Sequence, residues 1–268
     1  MTVGQLIEQS VAQLEVAGVT GARLDAQLLI AHAVGRNRAW VMAHPEFELG
    51  LDQLELVKDL MQRRAQREPV VHLTNKREFY GLEFYINADV LTPRAETEQM
   101  VEWAVKSAPK DSRLIDVGTG SGAIAVAIAK QRPDLKIMAT DVTDEALAVA
   151  RQNIAAHKVQ VELVKSDLFE SVKGEFDTVV TNLPYLQDDA ELMPEVQKEP
   201  AVALHGGADG LDLYRRFLQQ LPSHLRPGGY LFTECDPWQH AGLIEAAANQ
   251  QLLLQQEGYF ILGFQLAS

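Results

Sequence analysis

A chain of 268 residues, 47% apolar and 23% charged, is long enough for one large domain or two small ones built around a real core. No stretch approaches the ~20 apolar residues of a membrane span, and a formal charge of −13 opposes gripping nucleic acid, whose phosphates call for Lys and Arg. The lone Cys235 excludes an internal disulfide; it lies in an apolar strand pattern after Phe232, so a buried structural thiol is expected rather than a nucleophile. The opening Met1-Thr2-Val3-Gly4-Gln5-Leu6-Ile7-Glu8 lacks the basic-then-apolar layout of a signal peptide, so a cytoplasmic protein is expected.

Residues 1–69 carry helical periodicity only. Leu6, Val11, Leu14 and Val16 share one helix, and Leu24, Leu28, Leu29 and Ala33 share the next. Gly18, Gly21 and Gly35 punctuate them as stops. A further amphipathic helix runs from Leu51 to Arg67 on a Leu54, Val57, Met61 stripe, until Glu68-Pro69 breaks it. Arg63, Arg64 and Arg67, continued by Lys76 and Arg77, form the best local basic cluster, read as a solvated helix face. Residues 70–91 change to short β-prone runs. Glu78-Phe79-Tyr80 and Glu83-Phe84-Tyr85-Ile86 flank Gly81-Leu82 as a hairpin, taken as a linker. Thr92-Pro93-Arg94 opens the next helix, Glu96 to about Lys106.

The remainder of residues 92–268 alternates strand and helix, the signature of an α/β fold with a parallel sheet. The strands are Arg113–Val117, Lys136–Thr140, Val161–Val164, Phe176–Thr181 and Tyr230–Glu234. Helices are expected over Ala123–Lys130, Asp144–His157 with Thr143 as N-cap, Leu211 to about Leu225, and Trp238 to Asn249. An irregular stretch covers Leu186 to Gly210, a length usually reserved for function. Gln251–Gln256 and Tyr259–Leu266, split by Gly258, read as a terminal antiparallel pair.

Two landmarks sit where strands give way to helices or loops, where open α/β sheets bind their ligands. The first is Asp116-Val117-Gly118-Thr119-Gly120-Ser121-Gly122-Ala123. Its glycines permit backbone angles and ligand approach that side chains obstruct. Asp141, ending the next strand, is placed to accept from ribose hydroxyls. Asp167 after the third strand is within reach of an adenine amino group, and Leu168 of its ring face. The loop also satisfies Gly-x-Gly-x-x-Ala, which leaves a nicotinamide or flavin ligand open.

The second landmark is Asn182-Leu183-Pro184-Tyr185. An amide or aryl amine nitrogen is a poor nucleophile because its lone pair is delocalised. Two acceptors aimed at its N–H groups favour the pyramidal form met in a methyl-transfer transition state. Asn182 offers a side-chain oxygen and Leu183 a carbonyl. Pro184 restricts the backbone, and Tyr185 offers a face on which a planar group packs. The seven histidines are scattered without ligand spacing, so no metal is expected.

These residues resemble the bacterial protein-(glutamine-N5) methyltransferases that modify peptide chain release factors. The resemblance covers nearly the whole chain. It includes Arg67-Glu68-Pro69, Arg77-Glu78-Phe79-Tyr80 leading to Leu91-Thr92-Pro93-Arg94, the glycine loop, Asn182 to Tyr185, and Glu199-Pro200-Ala201-Val202-Ala203-Leu204 before Gly206-Gly207. It implies a Rossmann-like class I methyltransferase domain with a mostly parallel seven-stranded sheet over residues 92–268, behind a helical substrate-docking domain over 1–69. The implied donor is S-adenosylmethionine, leaving S-adenosylhomocysteine. Gly118 to Gly122 would line its methionine and ribose part, Asp141 would take the ribose, Asp167 and Leu168 would flank the adenine, and Asn182 would also border the donor. Asn182 to Tyr185, with Arg94, would hold the glutamine of a Gly-Gly-Gln loop. A monomer acting on a protein, without nucleic acid or membrane, is expected. Leu183 replaces the family's first proline of the step, Ala95-Glu96 alters the Pro-Arg-Pro-Asp-Thr-Glu run, and the carboxyl terminus lacks the family's acidic, Arg-containing stretch. A nucleic-acid amino methyltransferase and a release-factor binder without activity stay open as alternatives.

Overall fold

A computed structural model describes residues 1–268 as two compact units. Residues 1–76 with 192–198 form the first; residues 77–191 with 199–268 form the second.

The first unit holds helices α1 (Val3–Val16), α2 (Ala22–Val34), α3 (Arg38–Ala43), α4 (Leu51–Ala65) and α5 (Val70–Thr74). Thr2 caps α1 through a reciprocal pair with Gln5. Leu6, Val11 and Leu14 of α1 and Val57 and Met61 of α4 are buried as their spacing predicts, but Val16 is 92% exposed. On α2 the expected stripe is displaced. Ala22, Ala26, Leu29 and Ile30 face the core while Leu24 is exposed, so the buried face runs through alanines at a four-residue spacing. Residues 70–74 are helical rather than β-prone.

The basic cluster is not a solvated face. Arg64 is buried, its Nε 2.7 Å from Asp25 and its Nη2 2.8 Å from Glu195. Arg67 grips the same Glu195 through Nε at 2.8 Å and Nη2 at 2.9 Å. Burial pushes the Glu195 carboxyl up, but the two guanidinium groups outweigh it and hold the group at about 2. Periodicity places these arginines on one helix; it cannot reveal that acids 39 and 131 residues away converge on Arg64.

The second unit begins at Arg77, inside the hairpin of β1 (Lys76–Phe79) and β2 (Leu82–Tyr85). It continues as α6 (Glu98–Ser107), β3 (Arg113–Val117), α7 (Ala123–Gln131), β4 (Lys136–Asp141), α8 (Asp144–His157), β5 (Val161–Lys165) and β6 (Phe176–Thr181). After a long irregular stretch come α9 (Asp212–Gln220), β7 (Leu225–Glu234), α10 (His240–Ala248), β8 (Leu252–Glu257) and β9 (Ile261–Leu266). The hairpin turns at Tyr80 and Gly81, both at positive φ. It is no free linker: Asn153 of α8 accepts from Tyr85 N at 2.8 Å and donates to Tyr85 O at 3.0 Å.

Seven strands order as β5-β4-β3-β6-β7-β9-β8, parallel from β5 to β7, with β9 antiparallel to both β7 and β8. Leu114 to Val117 are all buried, as strands covered on both faces require. Helix α7 buries every residue from Ala123 to Ala129, because it packs on the sheet and is flanked by α6 and α8. Strand order reverses between β3 and β6, which makes that gap the switch point where such sheets bind ligands. Two boundaries differ from expectation. Helix α9 stops at Gln220 because Pro222 forces a tight turn, and β7 starts five residues early, absorbing Pro227-Gly228-Gly229 in a register shift against β6.

Candidate active site

The carboxyl ends of β3, β4, β5 and β6 open into one crevice of about 290 Å³. The turn after β3 is folded over the end of β4, since Gly118 N and Thr119 N both donate to Thr140 O, at 2.9 and 2.8 Å. Gly118 and Gly120 sit at φ +75° and +54°. A Cβ at Gly118 would stand 3.2 Å from Leu183 Cδ2, whereas one at Gly120 would meet nothing within 4 Å and would point into open space.

Carboxylates brace this turn from two sides. Asp141 accepts from Gly120 N at 2.9 Å on one oxygen and from Thr143 N at 3.1 Å on the other. Asp116, fully buried, accepts from Thr119 Oγ1 at 2.6 Å and Ala125 N at 3.2 Å. Burial exceeds those bonds and pushes its carboxyl up to about 7.

At the end of β6, Thr181 Oγ1 donates to Val117 O at 2.7 Å, so the two landmark loops leave the sheet tied together. Leu183 is buried, and its N–H donates to Tyr214 Oη at 3.2 Å. Downstream, Gln239 Nε2 donates to Tyr185 O at 2.9 Å and Gly206 N to Leu186 O at 2.8 Å. The step is therefore held on both sides despite Leu183 standing in for a proline.

The crevice gathers Gly118, Thr119, Gly120, Ser121, Asp141, Asp167, Leu168, Arg94, Asn182, Leu183 and Pro184. Gly122 and Tyr185 are not in its wall. Gly122 faces Ala150 of α8, and the partly buried Tyr185 turns its hydroxyl to Glu234 at 3.2 Å. Asp167 is engaged by Arg216 at 2.8 Å through one oxygen. Arg94 is held by the buried Glu199 at 2.7 Å.

Sequence reasoning passed over Glu234, Thr97 and Arg216. Glu234 is 1% exposed, and burial pushes its carboxyl up even though Thr97 Oγ1 donates to it at 2.6 Å. The signal available was position: Glu234 ends its strand at the same edge of the sheet as Asp141. Thr97, read only as part of a helix start, lines the crevice and lies 3.5 Å from Asn182 Nδ2.

A glycine turn after the first strand of the sheet, an acid ending the second and this strand order define a class I methyltransferase fold. Solved methyltransferases share it. One from Pyrococcus furiosus aligns with a TM-score of 0.57 at 20% identity, covering 77% of this chain and 99% of its own. A 16S rRNA N2 G1207 methyltransferase from T. thermophilus, in complex with AdoMet and guanosine, aligns at 0.54 and 15% identity over 72% of this chain and 50% of its own. Residues 97–262 match the Methyltransferase small domain and residues 5–74 the PrmC N-terminal domain. A release factor glutamine methyltransferase of Geobacter sulfurreducens is 38% identical over 87% of this chain and 84% of its own length. One of Cereibacter sphaeroides is 39% identical over 92% and 91%. The chain belongs to the release factor glutamine methyltransferase family.

Proposed function

We propose that the protein transfers a methyl group from S-adenosylmethionine to the side-chain amide nitrogen of the glutamine in the Gly-Gly-Gln loop of a peptide chain release factor, leaving S-adenosylhomocysteine. The observation that carries this reading is the meeting of Asn182 and Leu183 with the glycine turn in one crevice at the switch point. The names of the curated relatives support the same substrate.

The residues fit the donor. Gly120 leaves room for close approach, and Asp141 Oδ2, which accepts only from Gly120 N while Oδ1 takes the Thr143 N–H and hydroxyl, keeps a lone pair for a ribose hydroxyl. Leu91, Ile124, Val142 and Leu168 supply the apolar wall for an adenine and a thioether, and the second oxygen of Asp167 remains for an amino group. When bound, the donor supplies an electrophilic methyl on a sulfonium. Asn182 Oδ1 and the Leu183 carbonyl accept from the substrate N–H groups and favour localisation of the nitrogen lone pair. The nitrogen sheds its proton after alkylation, so no strong base is required of the chain. Arg94, fixed by Glu199, is assigned to the substrate loop, and the helical unit to docking of the protein substrate.

No helix is long and apolar enough to cross a membrane, and a cytoplasmic monomer suits a translation-factor substrate. The net charge of −13 favours a protein over a nucleic-acid acceptor. Radiolabel transfer from S-adenosylmethionine tests the assignment. Label is expected on a release factor and absent from one with the glutamine of its Gly-Gly-Gln loop replaced; label on DNA or RNA instead would refute it.

A further inference from the structure

An amide side chain has the same outline with either end forward, so its neighbours decide whether Asn182 offers an acceptor or a donor to the crevice. Those neighbours lead to Glu234, at the end of β7. Burial raises the Glu234 carboxyl, while the bonds it accepts from Thr97 and Tyr185 oppose that and favour the ionised form, which only accepts. Thr97 Oγ1 donates to Glu234 Oε2 at 2.6 Å and Tyr185 Oη to Oε1 at 3.2 Å. With its single proton on Glu234, Thr97 can only accept from Asn182, and Nδ2 lies 3.5 Å away. The nitrogen is thus turned inward, and Oδ1 is left for the crevice.

A second branch runs from the main chain of the same residue. Tyr214 Oη donates to the Glu234 carbonyl. That hydroxyl accepts from Leu183 N–H at 3.2 Å, so it has no proton left for the Leu183 carbonyl 3.4 Å away. A proline at position 183 has no N–H, so this branch belongs to the leucine of this chain.

We infer that Glu234 is a positioning residue: through Thr97 it faces Asn182 Oδ1 to the substrate amide, and through Tyr214 it keeps the Leu183 carbonyl free to accept beside it. The inference rests on the glutamine-methylation reading. Reversing Asn182 would set an N–H against the N–H of the substrate, replacing attraction in the transition state with repulsion. Donor binding, which uses the glycine turn and Asp141, would be untouched.

The test measures kcat for methylation of a release factor, donor affinity and melting temperature for T97V, T97S, E234Q, N182A and the N182A/T97V double variant. T97V removes the hydroxyl with little change of volume, and it gives the answer even if E234Q fails to fold. Expected is a fall in kcat of at least about tenfold for T97V, with donor Kd held within about twofold and activity restored by T97S. In the N182A background T97V should add less than about twofold, because the two act as one unit. Wild-type kcat in T97V, or an undiminished loss in the N182A background, overturns the inference. No transfer by the unsubstituted chain would remove the functional reading and this inference with it; transfer by that chain alongside a fully active T97V would remove the inference alone.

Discussion

Asp116 beneath the glycine turn makes stability depend on pH in a direction opposite to that of a salt-bridged acid. The side chain is fully buried, and its Oδ1 has no hydrogen-bond partner. Burial places its folded pKa at about 7 against an ordinary 3.8. Between those values the folded chain keeps a proton that the unfolded chain releases, so stability is full below about pH 4 and is lost as pH rises toward 7. A gap of about three units at ~1.4 kcal/mol each sets a ceiling of ~4 kcal/mol. Asp116→Asn keeps the shape and an acceptor for Thr119 but does not titrate. Urea unfolding of both proteins from pH 4 to 8 isolates this group, because oppositely shifted acids such as Glu195 cancel in the difference. The variant should gain on the wild type progressively across the window. A difference that stays constant within about 0.5 kcal/mol refutes the reasoning, since the predicted slope far exceeds that spread.

Three further outcomes follow from the same geometry. Asn182→Ala should lower turnover by a hundredfold or more, ~3 kcal/mol of transition-state stabilisation, while donor binding by calorimetry stays intact; turnover within about threefold of wild type would contradict its role. Asp141→Ala should weaken S-adenosylmethionine binding and also loosen the turn through the lost Gly120 N–H bond; an unchanged donor Kd would reject the ribose assignment. Arg64→Met leaves Asp25 without its buried guanidinium partner, while Glu195 keeps Arg67. Partial exposure of the acids puts the cost near the lower end, about 3 kcal/mol, measured by chemical denaturation of the first unit; a change under about 1 kcal/mol would show the pair to be dispensable.

The legible parts of this chain were those fixed by local rules. Thr143 read as an N-cap because a hydroxyl before two acids at a helix start has one economical use, and it accepts from Ala146 N as that use requires. The glycine turn was legible because positive φ at Gly118 and Gly120 favours glycine, and Asp141 because it ends the adjacent strand, where it accepts from Gly120 N. The α2 core face was not, since alanine at 22 and 26 carries a weaker hydropathy signal than the exposed Leu24. Arg64, Thr97 and Glu234 were hidden for a different reason. Each takes its meaning from partners brought by the fold from far along the chain: Thr97 and Glu234 are 137 residues apart. Tyr185 looked like a stacking face for the acceptor, yet its hydroxyl is drawn to Glu234 and away from the crevice wall, a consequence of one buried acid that the local motif does not contain.

Two fixed oxygens bending a flat amide toward a sulfonium is the claim on which the rest stands. A crystal structure of the protein with S-adenosylhomocysteine and a Gly-Gly-Gln peptide measures it directly. The glutamine nitrogen should lie about 3 Å from both Asn182 Oδ1 and the Leu183 carbonyl, with its lone pair directed at the sulfur. An amide nitrogen held elsewhere, or those two oxygens turned from the donor with Leu183 filling the acceptor space, would contradict it.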